Sequence, residues 1–238
     1  MAQPSGLTAG TSGGTGVVPP GDSAYDFSVT YAQDERAALA ALLAETGPDA
    51  PTLCEGWQTR DLAAHLVLRE RRPDAGPGAL GGPLASYTAR VQRRYLDRHS
   101  YEELIGLFKS GPPSFSLFGI PGADEAANTV EYFVHHEDVR RGAEGWTERE
   151  LPDGLSDALW KRLKGARLFV RSAPTGIVFV RAGASGVPPV IAKNTTPSVT
   201  VTGAPAELML WTMGRVRAAH VTFDGPEEAV AKLAAWRQ

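Results

Sequence analysis

The stretch Asn128-Thr-Val-Glu-Tyr-Phe-Val-His-His-Glu-Asp-Val-Arg-Arg141 concentrates two adjacent histidines with Glu131, Glu137 and Asp138. Set on a helix, at about 100° per residue, Glu131 and His135 lie one turn apart on the same face. Asp138 extends that stripe by a turn in one direction and Asn128 in the other. Ala127, Val130 and Val134 flank one side, and Tyr132 and Val139 the other. The opposite arc carries His136, Glu137, Arg140 and Arg141, where a solvated helix keeps its polar residues. The stripe runs inside the apolar face, where an unpaired carboxylate or imidazole is costly. Such groups persist when they are paired with each other or bound to a metal. A Glu and a His at i and i+4 can both reach one cation, as in helical-bundle metal sites, or can make a simple helix contact. Of the two neighbouring histidines, helical phase turns His135 inward and leaves His136 about 100° away in solvent.

A third ligand has to come from another helix. Of the five histidines, His65 is the candidate, in Thr59-Arg-Asp-Leu-Ala-Ala-His-Leu-Val-Leu-Arg-Glu-Arg-Arg72, with Leu62 and Leu68 on its face. Arg69 and Arg72 lie about 40° and 20° from His65 on the helical wheel. Guanidinium groups there suit a carboxylate on a substrate or cofactor. The same run also suits a solvated helix end near the negative dipole. Arg90, Arg93, Arg94 and Arg98 spread around their helix and read as a solvated face. Cys54 stands just before a helix, where a thiolate can be favoured. It has no adjacent histidine, and a buried structural thiol is the commoner case. His99 and His220 have no partners at ligand spacing. There is no G-x-S-x-G elbow, C-x-x-C, P-loop or G-x-G-x-x-G signature.

With 238 residues, 42% apolar and 21% charged, the chain has room for one large or two small domains. A net charge of −3 provides no basic field for nucleic acid. One cysteine excludes an internal disulfide and fits a reducing cytosol. No apolar run reaches the roughly 18–20 residues of a membrane span, and no secretory signal opens the chain. The expectation is a cytoplasmic protein without nucleic-acid or membrane partners.

Residues 1–27, rich in Gly, Ser, Thr and Pro, are expected to form a disordered extension. Helices are expected over about Gln33–Glu45, over Thr59–Arg72 with Thr59 as N-cap, over Leu84–Arg98 with Tyr101–Lys109 continuing it or separate, and over the Glu131/His135 segment. Together, at residues 28–146, they make a four-helix bundle. The Gly/Pro loops at 73–83 and 110–122 are either walls of one mouth or plain connectors. After a linker at Gly145–Gly154, a smaller α+β domain is expected over 151–238. It holds helices at Leu155–Phe169, Ala204–Met213 and Pro226–Trp236, and strands at Gly176–Ala182, Ser198–Thr202 and Ala218–Asp224.

Leu53-Cys-Glu-Gly-Trp57, followed by Thr59-Arg-Asp-Leu-Ala-Ala-His-Leu66 and then Asn128-x-x-Glu131-x-x-x-His135, resembles the mycothiol-dependent maleylpyruvate isomerase family, within the DinB-like metal-binding bundles of actinobacteria. Val199-Thr-Val-Thr-Gly-Ala-Pro-Ala-Glu-Leu-Met-Leu-Trp-Thr-Met-Gly-Arg215 resembles its sterol-carrier-like α/β domain. The resemblance covers roughly residues 30–238. It implies an α+β two-domain fold, a DinB-like four-helix bundle followed by the smaller domain. It also implies zinc ligation by His65, Glu131 and His135, and mycothiol as thiol cosubstrate.

Two histidines and one carboxylate leave coordination positions open, as in catalytic zinc sites, and the same donors accept nickel or Fe(II). Three functions fit. The first is a thiol-dependent isomerase or transferase acting on a small electrophile, with Arg69, and more remotely Arg72, anchoring a carboxylate. The second is a metal hydrolase in which the open site holds a water of lowered pKa and Asp138 or another carboxylate serves as base. The third is a non-catalytic metal- or ligand-binding protein. A monomer or a homodimer is compatible with each.

Overall fold

A computed structural model describes residues 30–72, 74–75, 82–113 and 123–236. The expected N-terminal extension lies outside the described residues, as do most of the two Gly/Pro loops. Among the described residues no helix is long and apolar enough to cross a membrane.

The first part of the chain is helical: α1 (Tyr31–Thr46), α2 (Thr59–Arg71), α3 (Ala85–Arg98), α4 (Tyr101–Lys109) and α5 (Ala123–Arg140). Thr30 caps α1 through a capping box with Gln33. In α2 the expected cap is displaced by one residue. Thr59 is already helical, and the backbone N–H of Gln58 donates to the Asp61 carboxylate at 2.9 Å. Helices α3 and α4 are separate, because Ser100 and Glu103 form a second capping box that starts a new helix. Of the two expected alternatives for Tyr101–Lys109, the separate helix is the one observed, giving five helical segments among the described residues of the bundle. Its core is built from Leu39, Leu43, Leu62, Leu66, Leu104, Phe108 and Tyr132.

The second part mixes helix and sheet. Helix α6 (Asp153–Arg162) passes into a 3-10 helix (Leu163–Leu168), which divides the single helix expected there. Strands β1 (Gly176–Arg181), β2 (Val190–Lys193), β3 (Ser198–Gly203) and β4 (Thr222–Asp224) form one sheet in the order β2-β1-β3-β4. β1 pairs parallel with β3, placing Ile177 beside Val199 and Phe179 beside Val201 on the buried face. The outer pairs are antiparallel. β2 is an edge strand with two buried residues, too short to show a clear period in the sequence. β4 is shorter than expected. Helices α7 (Pro205–Thr212) and α8 (Glu227–Ala235) pack on β3.

Helix α5 belongs to both parts. Tyr132 and Val139 enter the bundle core, while Phe133 and Val134 enter the sheet-side core with Leu159, Leu163 and Leu210. From Tyr132 to Val139 every residue is buried. This corrects the expectation of a solvated outer arc. His136 is 7% exposed, Glu137 1% and Arg141 4%, because α1, the Arg149 side chain and α7 cover the arc that faces away from α2.

The covered arc is satisfied by ion pairs. Nδ1 of His136 lies 2.9 Å from Glu35 on α1. Arg149 donates to Glu35 at 2.9 and 3.0 Å and to Glu137 at 3.1 Å. Arg141 donates to Glu137 at 2.7 Å and to both oxygens of Glu207 on α7, at 2.7 and 3.0 Å. Burial raises the Glu35 carboxyl, but the His136 and Arg149 bonds outweigh it and hold the group below its usual range.

Candidate metal centre

His65 on α2 and Glu131 and His135 on α5 converge. Nε2 of His65 and Nε2 of His135 each lie 3.3 Å from the same oxygen of Glu131, Oε1. The two imidazole rings meet edge to face, 5.1 Å between centroids. Ligand atoms about 2.0–2.2 Å from a tetrahedral ion lie roughly 3.3–3.5 Å apart, so the observed spacing fits one ion held by all three. The three side chains singled out in the sequence are thus brought together, His65 from α2 meeting Glu131 and His135 from α5, while His136 is buried elsewhere against Glu35.

Charge at the centre is uneven. Burial lowers the His65 pKa, against the opposing bond to Glu131. Burial also acts to lower His135, but the bonds to Asp138, Cys54 and Glu131 prevail and raise it well above the ordinary imidazole value. Burial would raise Glu131. Its bonds from His135 and His65, with the Arg69 charge, keep it well below the carboxylate range. Nε of Arg69 sits 3.2 Å from Glu131 Oε1, and its Nη1 donates to Asn128.

Asp138 braces the centre from behind. Its Oδ2 lies 2.8 Å from His135 Nδ1, and Arg215 donates to its two oxygens at 2.8 and 2.6 Å. The Cys54 thiol donates to the same Oδ2 at 3.2 Å. Burial works to raise this carboxyl, but the His135 and Arg215 bonds hold it at about 2. A carboxylate–histidine pair of this kind fixes ring orientation and tautomer for a metal ligand. Replacing Asp138 by Asn should lower metal affinity about 10–100-fold, measured by chelator competition. An unchanged affinity would leave Asp138 without this bracing role.

Cys54 and Arg215 have no ligand-type spacing in the sequence, yet both reach this cluster. The loop before α2 is tied to α5 by the Leu53 N–H donating to the Asp138 carbonyl at 3.0 Å. Gly142 permits the approach, since a Cβ there would lie 2.3 Å from the Pro51 carbonyl oxygen. Arg72 is directed elsewhere. It bonds Asp74 at 2.9 and 2.8 Å and lines a different cavity with Arg94, Tyr95 and His99.

Two cavities border the centre. One, of about 310 Å³, has Arg69, Glu131, Val130, Phe169, Met209 and Arg162 in its wall. The other, of about 300 Å³ between α2 and α3, includes His65, Trp57, Asp61, Gln92 and Arg93.

Residues 29–105 match the family model described as the mycothiol maleylpyruvate isomerase N-terminal domain. Among solved structures, the chain resembles a variant of mycothiol-dependent maleylpyruvate isomerase with one histidine replaced by alanine. The two are 17% identical over 83% of this chain and 92% of that one, with a TM-score of 0.51. The same enzyme without that replacement aligns at 20% identity over the same shares, with a TM-score of 0.47. No curated protein matches in sequence. The family match is confined to residues 29–105, and the likeness to the solved structure is one of fold: the chain takes a mixed helix-and-sheet arrangement similar to that of the isomerase.

Proposed function

We propose that the chain is a metal-dependent enzyme that activates a low-molecular-weight thiol for isomerase or transferase chemistry on a small electrophile. Mycothiol, named in the matching family, is the proposed thiol. The observation that carries this is the convergence of His65 Nε2, Glu131 Oε1 and His135 Nε2. Zinc is the proposed ion, nickel or Fe(II) being compatible with the same donors, and when bound it favours the thiolate form of a thiol brought to it.

The chain's own residues do the rest. Asp138 orients His135, and Arg69 holds Glu131 in place. The wall beside Arg69 combines two guanidinium groups with Val130, Phe169 and Met209, which suits a small electrophile bearing a carboxylate. A hydrolase would need a carboxylate to take a proton from water. Asp138 is a poor candidate for that, because it is fully buried and its oxygens are engaged by His135, Arg215 and Cys54.

Cobalt substitution tests the proposal. Adding mycothiol to the Co(II) protein should produce a thiolate-to-metal charge-transfer band, and Arg69→Ala should raise KM for an acidic electrophile about tenfold or more. An unchanged cobalt spectrum, together with thiol-independent ester or amide hydrolysis, would overturn it.

A further inference from the structure

The two cavities differ in chemistry. The one beside Arg69 sets two arginines, Glu131 and Thr212 among apolar side chains such as Val130, Phe169, Met209 and Met213. The one between α2 and α3 combines a tryptophan face with a carboxylate, an amide and a guanidinium, from Trp57, Asp61, Gln92 and Arg93. Trp57 is held against His65, 5.2 Å between ring centroids, so it is placed beside the metal centre. An aromatic plane takes the C–H face of a ring, while carboxylate and amide groups take its hydroxyls. Nε2 of Gln92 donates to the Asp61 backbone carbonyl at 3.2 Å, and its Oε1 has no partner among the described residues.

His65 supplies an independent sign. It is 6% exposed, forms part of this cavity's wall, and its buried Nδ1 has no hydrogen-bond partner among the described residues. Metal-ligating histidines nearly always bond through the second nitrogen, and His135 does so through Asp138. Nδ1 of His65 is therefore an unpartnered buried polar atom on a side chain that lines this cavity.

We propose that the α2–α3 cavity seats the hydroxyl-rich body of the thiol cosubstrate, while the electrophile enters from the cavity beside Arg69. This rests on the thiol reading above and assigns its two substrates to opposite walls of the centre. Trp57 stacks on the polyol, Asp61 and Gln92 accept its hydroxyls, and Arg93 closes the rim.

The test uses the full-length metal-loaded protein and two probes. One is the glucosaminyl-inositol portion of mycothiol without its cysteine, and the other is mycothiol itself on the Co(II) form. Calorimetry should show the thiol-free probe binding the wild type, with Trp57→Leu and Arg93→Glu each weakening it about tenfold or more at unchanged metal content. Arg93 is exposed, so its variant keeps the experiment decisive if Trp57→Leu folds poorly. Absent binding of the probe, or equal binding by wild type and Arg93→Glu, would overturn the cavity assignment. If the probe binds in this residue-dependent way but mycothiol leaves the cobalt spectrum unchanged, the cavity stands and the thiol reading falls.

Discussion

His135→Ala protein should purify with less than about a tenth of the wild-type metal content by elemental analysis, because it loses one of the three proposed ligands. His65→Ala and Glu131→Ala should follow it. The effect at His135 should be the largest. Its ring is also the partner of Asp138, which would be left facing Arg215 and Cys54 alone. His136→Ala is the informative control. It should keep its metal yet lose about 1–3 kcal/mol of stability, since Glu35 is buried and would retain, among the described residues, only Arg149. Metal loss from His136→Ala with retention by His135→Ala would reverse the ligand assignment.

The second large effect is expected at Arg141, a residue outside the proposed metal centre. Its side chain is 2% exposed, binds Glu137 and Glu207, donates to the Ala218 carbonyl at 2.6 Å, and lies over Trp146 at 4.4 Å. Removing one partner of a buried ion cluster leaves uncompensated charge, which costs about 3–5 kcal/mol. Arg141→Met, which keeps much of the volume, should therefore lower Tm by roughly 6–20 °C for a chain of this size. A shift under about 2 °C would mean that water or rearrangement satisfies both carboxylates.

The ligand stripe was legible because helical phase is local. Glu131, His135 and His65 each announce themselves within one helix, and family spacing joins them. The burial of His136, Glu137 and Arg141 was not legible. It depends on Arg149, Glu207 and Ala218, residues that come later in the chain and reach α5 only through folding. Cys54 escaped for the same reason, since its partners Asp138 and Arg215 are distant in sequence. The division between α3 and α4 was visible in principle. Ser100-Tyr-Glu-Glu103 is a capping-box pattern, and its cap bonds are local. Strand β2 was hidden by its length, with two buried side chains to mark it.

Helix α5 leaves evolution little freedom along two turns. Between Tyr132 and Val139 each side chain is buried, in a core, in an ion cluster or at the proposed metal centre, so a substitution at any of them disturbs packing or a buried polar contact. The cavity walls are less constrained, being drawn from α2 and α3 on one side and from the sheet-side helices on the other. Wall residues such as Arg93 and Phe169 can thus be exchanged with less disturbance of packing than any residue between Tyr132 and Val139, both being exposed.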